Sequence, residues 1–205
     1  MRSRDWQAAL ALAATLSVAC VEVKEGTPAP PPPEEARIAD APGIIVPDEE
    51  LQDQDGRPVR LRDLFAARVV AVNFVYTTCT TICSPMTAVF ARLARDLGPA
   101  LGREARLVTI SLDPATDTPE RLRAYADRFE RREGWTFLTG PPERVARVRR
   151  ALGGAEADKE SHAPWTLLGR EGGFRRAQGI ASSAQLRAWM TPYLPLQNSR
   201  THLAP

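Results

Sequence analysis

The sequence predicts an α/β domain with a central mixed sheet that is parallel in its middle, has hairpins at its edges and is flanked by helices. Three observations predict this fold class. Strand-like and helix-like segments alternate along most of the chain, which is typical of a sheet with parallel strands. Residues 69–76, VVAVNFVY, form the β-branched apolar run expected of a strand buried on both faces. The dipeptides Asp55-Gly56 and Gly172-Gly173 are turn signals, the first for an N-terminal hairpin.

The strands are predicted from short apolar and β-branched runs bounded by turn residues. The first two strands form the hairpin within 51–61. The others cover residues 69–76, 106–112, 135–138, 165–168 and 174–177. Because helices separate the strands in the middle of this order, those strands are expected to be parallel.

The helices are predicted from apolar residues at spacings of three and four and from start and stop signals. The first helix follows Cys83, with Ser84 as a candidate cap and Pro85 at its first position; its apolar residues are Met86, Val89, Phe90, Leu93 and Leu97. The later helices cover 119–129, capped by Thr118, then 142–152, stopped by Gly153-Gly154, and 183–193.

The 205 residues suffice for one domain of ordinary size and an N-terminal segment outside it. We predict a signal and anchor segment over 1–20, a proline-rich linker over 21–43, the folded domain over 44–196 and a tail over 197–205. The linker has prolines at 28, 30, 31, 32 and 33, a composition that favours an extended spacer. A P-x-x-P recognition motif is the alternative for that stretch.

Charge is evenly balanced in this chain. It has 27 basic and 25 acidic residues, a formal net charge of +2, and no long run of one sign. Nucleic-acid binding depends on a basic patch or stripe. We therefore expect no nucleic-acid partner.

The first twenty residues have the pattern of an export signal. Arg2 and Arg4 form a basic start, and residues 8–19 are a run of apolar and small residues that is shorter than the roughly 20 residues needed to span a bilayer. The run ends in LSVAC, which resembles the lipobox of bacterial lipoproteins. This resemblance implies that Cys20 is lipidated and that the exported protein is held at a membrane, facing the periplasm or cell exterior. A plain cleaved signal or a short anchor is the alternative.

Lipidation of Cys20 would leave one cysteine pair, Cys79 and Cys83. Cys79 comes just after the strand 69–76, and ligand sites in open α/β sheets lie beyond the carboxyl ends of strands. Two cysteines four residues apart can form a disulfide or bind one metal ion. Buried structural thiols are the alternative, although the polar sequence TTCTTICS around the pair favours a functional site.

His162 immediately precedes the strand 165–168 and is the candidate third ligand. Two thiolates and one imidazole suit copper(I) or zinc(II). Structural zinc prefers a fourth protein ligand, whereas copper(I) is satisfied by three, and such a site also tolerates copper(II). A surface or core histidine is the alternative, and His202, in the polar tail, is interpreted as a solvated bystander.

Three features, in this order, resemble the Sco/SenC family: the block 72–83, the block 111–120, and His162 before a strand. Members of that family have a thioredoxin-like fold, bind copper through a C-x-x-x-C pair and a distant histidine, and serve assembly of the binuclear copper centre of cytochrome c oxidase. The resemblance runs from about Ile44 to Leu194 and implies a thioredoxin-like fold for this chain.

The resemblance also implies roles for single residues. Cys79, Cys83 and His162 would be ligands of copper(I) or copper(II), and the two cysteines would form a reversible disulfide. Asp113 matches an acidic residue near the family's site; a turn former ahead of Pro114 is the alternative. Asp117 and Thr118 are predicted to initiate the next helix.

The sequence departs from the family pattern at three positions. Thr80 and Ser84 follow the cysteines where proline is commoner, and Pro164 before the strand resembles the cis-proline that faces the cysteines in thioredoxins.

These observations leave two main functions open. The first is a copper chaperone that delivers copper to the copper-bearing subunit of a cytochrome oxidase, or to other periplasmic thiol or copper proteins, reduces the recipient's cysteines, or does both. The second is an enzyme, a membrane-tethered thiol-disulfide oxidoreductase that uses the same cysteine pair. A peroxiredoxin-like peroxidase and a purely structural lipoprotein are weaker alternatives.

Overall fold

The computed structural model describes residues 36–154 and 163–194. Its strands are β1 (Arg37–Asp40), β2 (Glu50–Asp53), β3 (Pro58–Arg60), β4 (Val69–Val75), β5 (Ala105–Ser111), β6 (Trp135–Thr139), β7 (Trp165–Arg170) and β8 (Gly173–Gln178). Its helices are α1 (Leu61–Phe65), α2 (Cys83–Leu97), α3 (Pro119–Asp127), α4 (Pro142–Ala151) and α5 (Ser183–Met190). None of the helices in these two ranges is long and apolar enough to cross a membrane.

The eight strands form one mixed sheet in the order β1-β8-β7-β4-β5-β6-β2-β3. Strands β4, β5 and β6 are parallel neighbours, and the other pairings are antiparallel. Helices α2 and α3 make the two crossovers between the parallel strands, which keeps those connections on the sheet faces. The predicted mixed sheet with a parallel middle is therefore confirmed.

Strand β4 lies at the centre of the core. All seven of its residues are buried. Alternate residues contribute to two apolar clusters, one on each face of the sheet. Helices α2, α3 and α5 cover one face, and α1 and α4 cover the other. The continuous apolar run 69–76 predicted this two-sided burial.

The predicted N-terminal hairpin is formed by β2 and β3. Asp53 Oδ1 accepts hydrogen bonds from the backbone N–H groups of Asp55 (2.8 Å) and Arg57 (2.9 Å), which closes the turn. Gly56 has a φ of +74°, a conformation that glycine adopts without strain. The second hairpin, β7 and β8, turns at Gly172, as predicted.

The boundary predicted between linker and domain at residue 44 is wrong. Strand β1 lies within 21–43 and pairs with β8 of the sheet. β1 is a four-residue edge strand with three exposed residues, so it is held by backbone pairing with β8 and has no apolar alternation to recognise. The predicted signal segment 1–20 and tail 197–205 lie outside the described residues.

The helix predictions need correction at four helices. Helix α2 begins at Cys83 rather than at Pro85, and its N-cap is Ile82, so Ser84 lies within the first turn and is not the cap. Helix α1 was not predicted because five residues are too few to show a helical period. Helices α3 and α5 end earlier than predicted; after α5, a 3-10 turn over Thr191–Tyr193 contains a proline, which cannot continue an α-helix.

Candidate functional site

The cysteine pair lies where the buried strand β4 gives way to helix α2. Residues 76–82, which connect β4 to α2 and include Cys79, are called the cysteine loop below. Cys79 N–H donates to the Tyr76 carbonyl (3.1 Å), which tightens the loop, and Cys83 is the first residue of α2. Both thiols are free; Cys79 is 8% exposed and Cys83 is fully buried. The structure therefore confirms the predicted position beyond a strand's carboxyl end.

Hydrogen-bond donors surround the sulfur of Cys79. The backbone N–H of Cys83 points to Cys79 Sγ at 3.4 Å, and the Thr81 hydroxyl lies 3.7 Å from it. The first N–H groups of a helix have no partner within the helix and carry partial positive charge. The start of α2 therefore stabilises negative charge on Cys79.

These contacts determine which thiol ionises first. Burial acts to raise the pKa of Cys79, but hydrogen bonds from the Cys83 thiol, from the backbone N–H groups of Thr81 and Cys83 and from the Thr81 hydroxyl outweigh it and lower the pKa to about 6. A thiolate is the nucleophilic and metal-binding form of cysteine. Cys79 is therefore ready for either chemistry near neutral pH.

Cys83 has the opposite character. Burial, followed by its hydrogen bond to Cys79 and by the negative charges of Cys79 and Asp117, raises the pKa of Cys83 to about 12. Its carbonyl accepts from the buried hydroxyl of Thr87 (2.7 Å), which in turn contacts the Tyr125 hydroxyl (2.8 Å). Cys83 is thus a protonated thiol. Its backbone carbonyl is held by Thr87 of α2, which in turn contacts Tyr125 of α3.

Asp117 holds the start of the cysteine loop, a role that the sequence analysis missed. Its side chain is fully buried and accepts hydrogen bonds from the Thr77 hydroxyl (2.6 Å), the Thr77 N–H (3.2 Å) and the Ser111 hydroxyl (2.6 Å). Thr118, not Asp117, caps α3 by accepting from the Arg121 N–H. The only available signal was that polar residues follow two adjacent strands, β4 and β5.

Asp113 is half-buried in the turn after β5. Its N–H donates to Ser111 Oγ (3.0 Å), and its carbonyl accepts from the N–H groups of Thr116 (2.9 Å) and Asp117 (2.8 Å). These contacts give it the turn-forming role that was the alternative in the sequence analysis. A contact between its carboxylate and a metal stays a prediction.

The predicted ligand His162 lies outside the described residues, as do Cys20 and His202. Within residues 36–154 and 163–194, no group of three histidine, cysteine or acidic side chains is placed to hold a metal ion. The cysteines alone supply two sulfur ligands, which is the donor type that copper(I) prefers.

The segment that leads into β7 lies at the same end of the sheet as the cysteine loop. β7 is antiparallel to β4, and Thr166 pairs with Asn73 near the end of β4. Directly before β7, the Pro164 carbonyl accepts from the Gly179 N–H (2.9 Å). The chain therefore enters β7 at the end of the sheet where β4 stops and the cysteine loop begins.

A family model described as SCO1/SenC matches residues 40–172. The chain belongs to the SCO1/SenC family. This match confirms the family that the cysteine block, the 111–120 block and the histidine resemble.

Two curated relatives match part of the chain. The SCO1 protein homolog of Bacillus subtilis (strain 168) is 38% identical over 91 residues, which are 44% of this chain and 46% of the relative. A Stutzerimonas stutzeri protein, whose name describes it provisionally as copper-binding, is 34% identical over 108 residues, 53% of this chain and 52% of the relative. The chain therefore spans about half the length of the curated relatives it matches.

Solved structures of the family share the fold over more of the chain. A SCO1/SenC family lipoprotein from Bacillus anthracis str. Ames is 25% identical with a TM-score of 0.63, covering 74% of this chain and 96% of that one. BsSco, described as a member of the Sco family of cytochrome c oxidase assembly proteins with a disulfide switch, is 26% identical with a TM-score of 0.63, covering 78% and 99%. The thioredoxin-like fold class is confirmed.

Proposed function

We propose that this protein binds copper through Cys79, Cys83 and His162 and delivers it to the binuclear copper site of a respiratory cytochrome oxidase. The observation that carries the proposal is the pair of free cysteines that follows the central strand β4. One of them, Cys79, has its pKa lowered to about 6. Soft thiolate ligands select copper(I). Copper is the cargo of this reaction and leaves with the recipient.

Strand β7 begins at the same end of the sheet as the cysteine loop, which supports His162 as the third ligand. His162 is three positions before Trp165, and a step of three positions along the chain spans at most about 10 Å. This short separation in sequence is compatible with His162 as a ligand beside the cysteines. A three-ligand site leaves a position through which a recipient's ligand can enter before one of the protein's own ligands leaves.

The names of the relatives support the same activity. BsSco is described as belonging to a family of cytochrome c oxidase assembly proteins, and the Stutzerimonas stutzeri protein is provisionally named for copper binding. Applied to this chain, they point to a copper-bearing oxidase subunit as the recipient.

An anaerobic titration of the reduced protein with copper(I) tests the ligand set. The wild type is expected to form a one-to-one complex, which His162→Ala loses. His202→Ala is the matched control, because it removes the chain's other histidine and is expected to leave the affinity unchanged. Equal affinity of wild type and His162→Ala would contradict the proposal.

Thiol-disulfide exchange is the second candidate function, and the contrast between Cys79 and Cys83 favours it. The Cys79 thiolate would attack one sulfur of a partner disulfide, forming a mixed disulfide and releasing one partner thiolate. Cys83 would lose its proton and attack Cys79 Sγ, forming the internal disulfide and releasing the second partner thiolate. Two electrons pass to the partner, and a dithiol reductant restores the pair.

A disulfide-exchange assay separates this activity from copper delivery. His162→Ala is expected to keep the rate of reduction of a model disulfide peptide, because exchange needs only the two cysteines. Cys83→Ser should stop the reaction at the mixed disulfide. An exchange rate that depends on His162 would count against an independent oxidoreductase.

We also propose that the protein is exported and anchored through a lipid on Cys20, facing the periplasm or cell exterior. The family lipoprotein from Bacillus anthracis supports this localisation. Metabolic labelling with a radioactive fatty acid tests it: the wild type should carry label in the membrane fraction, and Cys20→Ala should carry none. Equal labelling of the two proteins would refute the anchor.

A further inference from the structure

Asp117 is an acidic residue with no exposed surface. Burial of an unpaired carboxylate is unfavourable unless hydrogen bonds replace its hydration. Here both carboxylate oxygens accept from donors: Oδ1 from the Thr77 hydroxyl, Oδ2 from the Ser111 hydroxyl, and both from the Thr77 N–H at 3.2 and 3.3 Å. Two oxygens that only accept are the arrangement that suits an ionised carboxylate.

These bonds connect the cysteine site to the neighbouring strand. Thr77 is the second residue after β4 and comes two residues before Cys79, while Ser111 ends β5. The Leu112 N–H also donates to the Val75 carbonyl (2.8 Å). The start of the loop is thus fixed to β5 through one side chain that is 40 residues away in sequence.

The carboxylate also acts on the pair electrostatically. The carboxylate bonds Thr77, two residues before Cys79, so its negative charge lies beside the loop that carries Cys79. Coulomb interactions between buried groups are weakly screened by salt and solvent. A bound copper ion between the two sulfurs would experience the same field.

We propose that Asp117 is a positioning residue for the cysteine site, whose fixed negative charge favours copper(II) over copper(I). This inference rests on the proposed copper-binding function. With two thiolates and a neutral imidazole, the copper(I) complex carries a single negative charge and the copper(II) complex is neutral. Oxidation transfers one electron to a one-electron acceptor and neither breaks a bond nor moves a proton. A nearby negative charge therefore destabilises the reduced complex more than the oxidised one.

The copper(II)/copper(I) potential of the full-length, copper-loaded protein, measured against a one-electron mediator, tests this role. Asp117→Asn keeps the shape of the side chain but removes its charge. It is expected to raise the ratio of copper(I) to copper(II) at a fixed potential by about tenfold, which is about 59 mV for a one-electron couple.

Ser111→Ala is the matched control. It removes one hydrogen bond to Asp117 and keeps the charge, so it should lower the melting temperature while changing the copper ratio less than about twofold. If Asp117 were only structural, Asp117→Asn and Ser111→Ala would both lower the melting temperature, and the potential would either stay unchanged in both variants or shift equally in both. Either result overturns the inference.

Two further results complete the test. If Asp117→Asn does not fold, Thr77→Val and Asp117→Glu both keep the carboxylate; each should leave the potential near the wild-type value, and a large shift in either would overturn the role of the charge. A wild type that binds no copper would refute both the proposed function and this inference. A wild type that binds copper, with no shift in Asp117→Asn, overturns the inference alone.

Discussion

Strand β4 and the cysteine loop that follows it are adjacent in sequence but are held in place by different interactions. β4 is paired with β5 and β7 and is buried along its whole length. The loop is held mainly by side chains: Thr77 bonds to Asp117, and Thr81 contacts Cys79. An apolar pattern therefore suffices to specify the strand, whereas the site depends on a few polar contacts made across the fold.

The largest expected difference lies within the cysteine pair. Because the pKa is lowered to about 6 at Cys79 and raised to about 12 at Cys83, Cys79 should react with iodoacetamide about a hundredfold faster or more at pH 7. The rate at Cys79 should rise as the pH increases through about 6 and then level off, because the thiolate is the reactive form. Mass spectrometry of peptides from the reduced protein measures both sites.

Single-cysteine variants provide the control for this reactivity. Cys83→Ala removes the thiol hydrogen bond that lowers the pKa of Cys79, so the midpoint of its alkylation should move to higher pH. Comparable alkylation of both cysteines in the wild type would contradict the assigned thiolate and thiol.

Truncation of a core side chain of β4 should have the largest effect on stability. Phe74 is 2% exposed and packs against Trp165, with ring centroids 4.7 Å apart. Phe74→Ala is expected to lower the free energy of unfolding by about 3–5 kcal/mol because it leaves a cavity in the core. Urea denaturation measures this change, and a loss below about 1 kcal/mol would contradict the central role of β4.

A change in the loop should cost less stability and more function. Thr77→Val keeps the backbone N–H bond but removes the hydroxyl that donates to Asp117. The free energy of unfolding should fall by about 1–3 kcal/mol, because a buried carboxylate oxygen loses a donor. The affinities for copper(I) and copper(II) should fall together, which leaves the potential unchanged, whereas Phe74→Ala should leave the affinity of the folded fraction unchanged. The reverse pattern would show that loop and strand are not separable in this way.

The smallest effect is expected just outside the site. Thr118 caps α3 and is exposed, so Thr118→Ala should cost about 1 kcal/mol of stability. Alkylation of Cys79 should be unaffected, because the neighbouring Asp117 keeps its own contacts. A changed alkylation midpoint would mean that the cap and the site are coupled.

The same contrast explains what could be predicted from the sequence. Strand β4, the N-terminal hairpin and the cap at Thr118 follow from local patterns, and each is where it was predicted. Strand β1 was assigned to the linker because an exposed edge strand has no periodic signal. Asp117 was interpreted only as a helix initiator, because a hydrogen bond to a residue 40 positions away leaves no local trace.

X-ray absorption spectroscopy at the copper edge tests the proposed ligand set most directly. The reduced, copper(I)-loaded protein is expected to show two sulfur ligands and one nitrogen ligand, and His162→Ala should lose the nitrogen while keeping both sulfurs. A wild-type spectrum with sulfur ligands alone, or one that His162→Ala leaves unchanged, would contradict a site built from Cys79, Cys83 and His162.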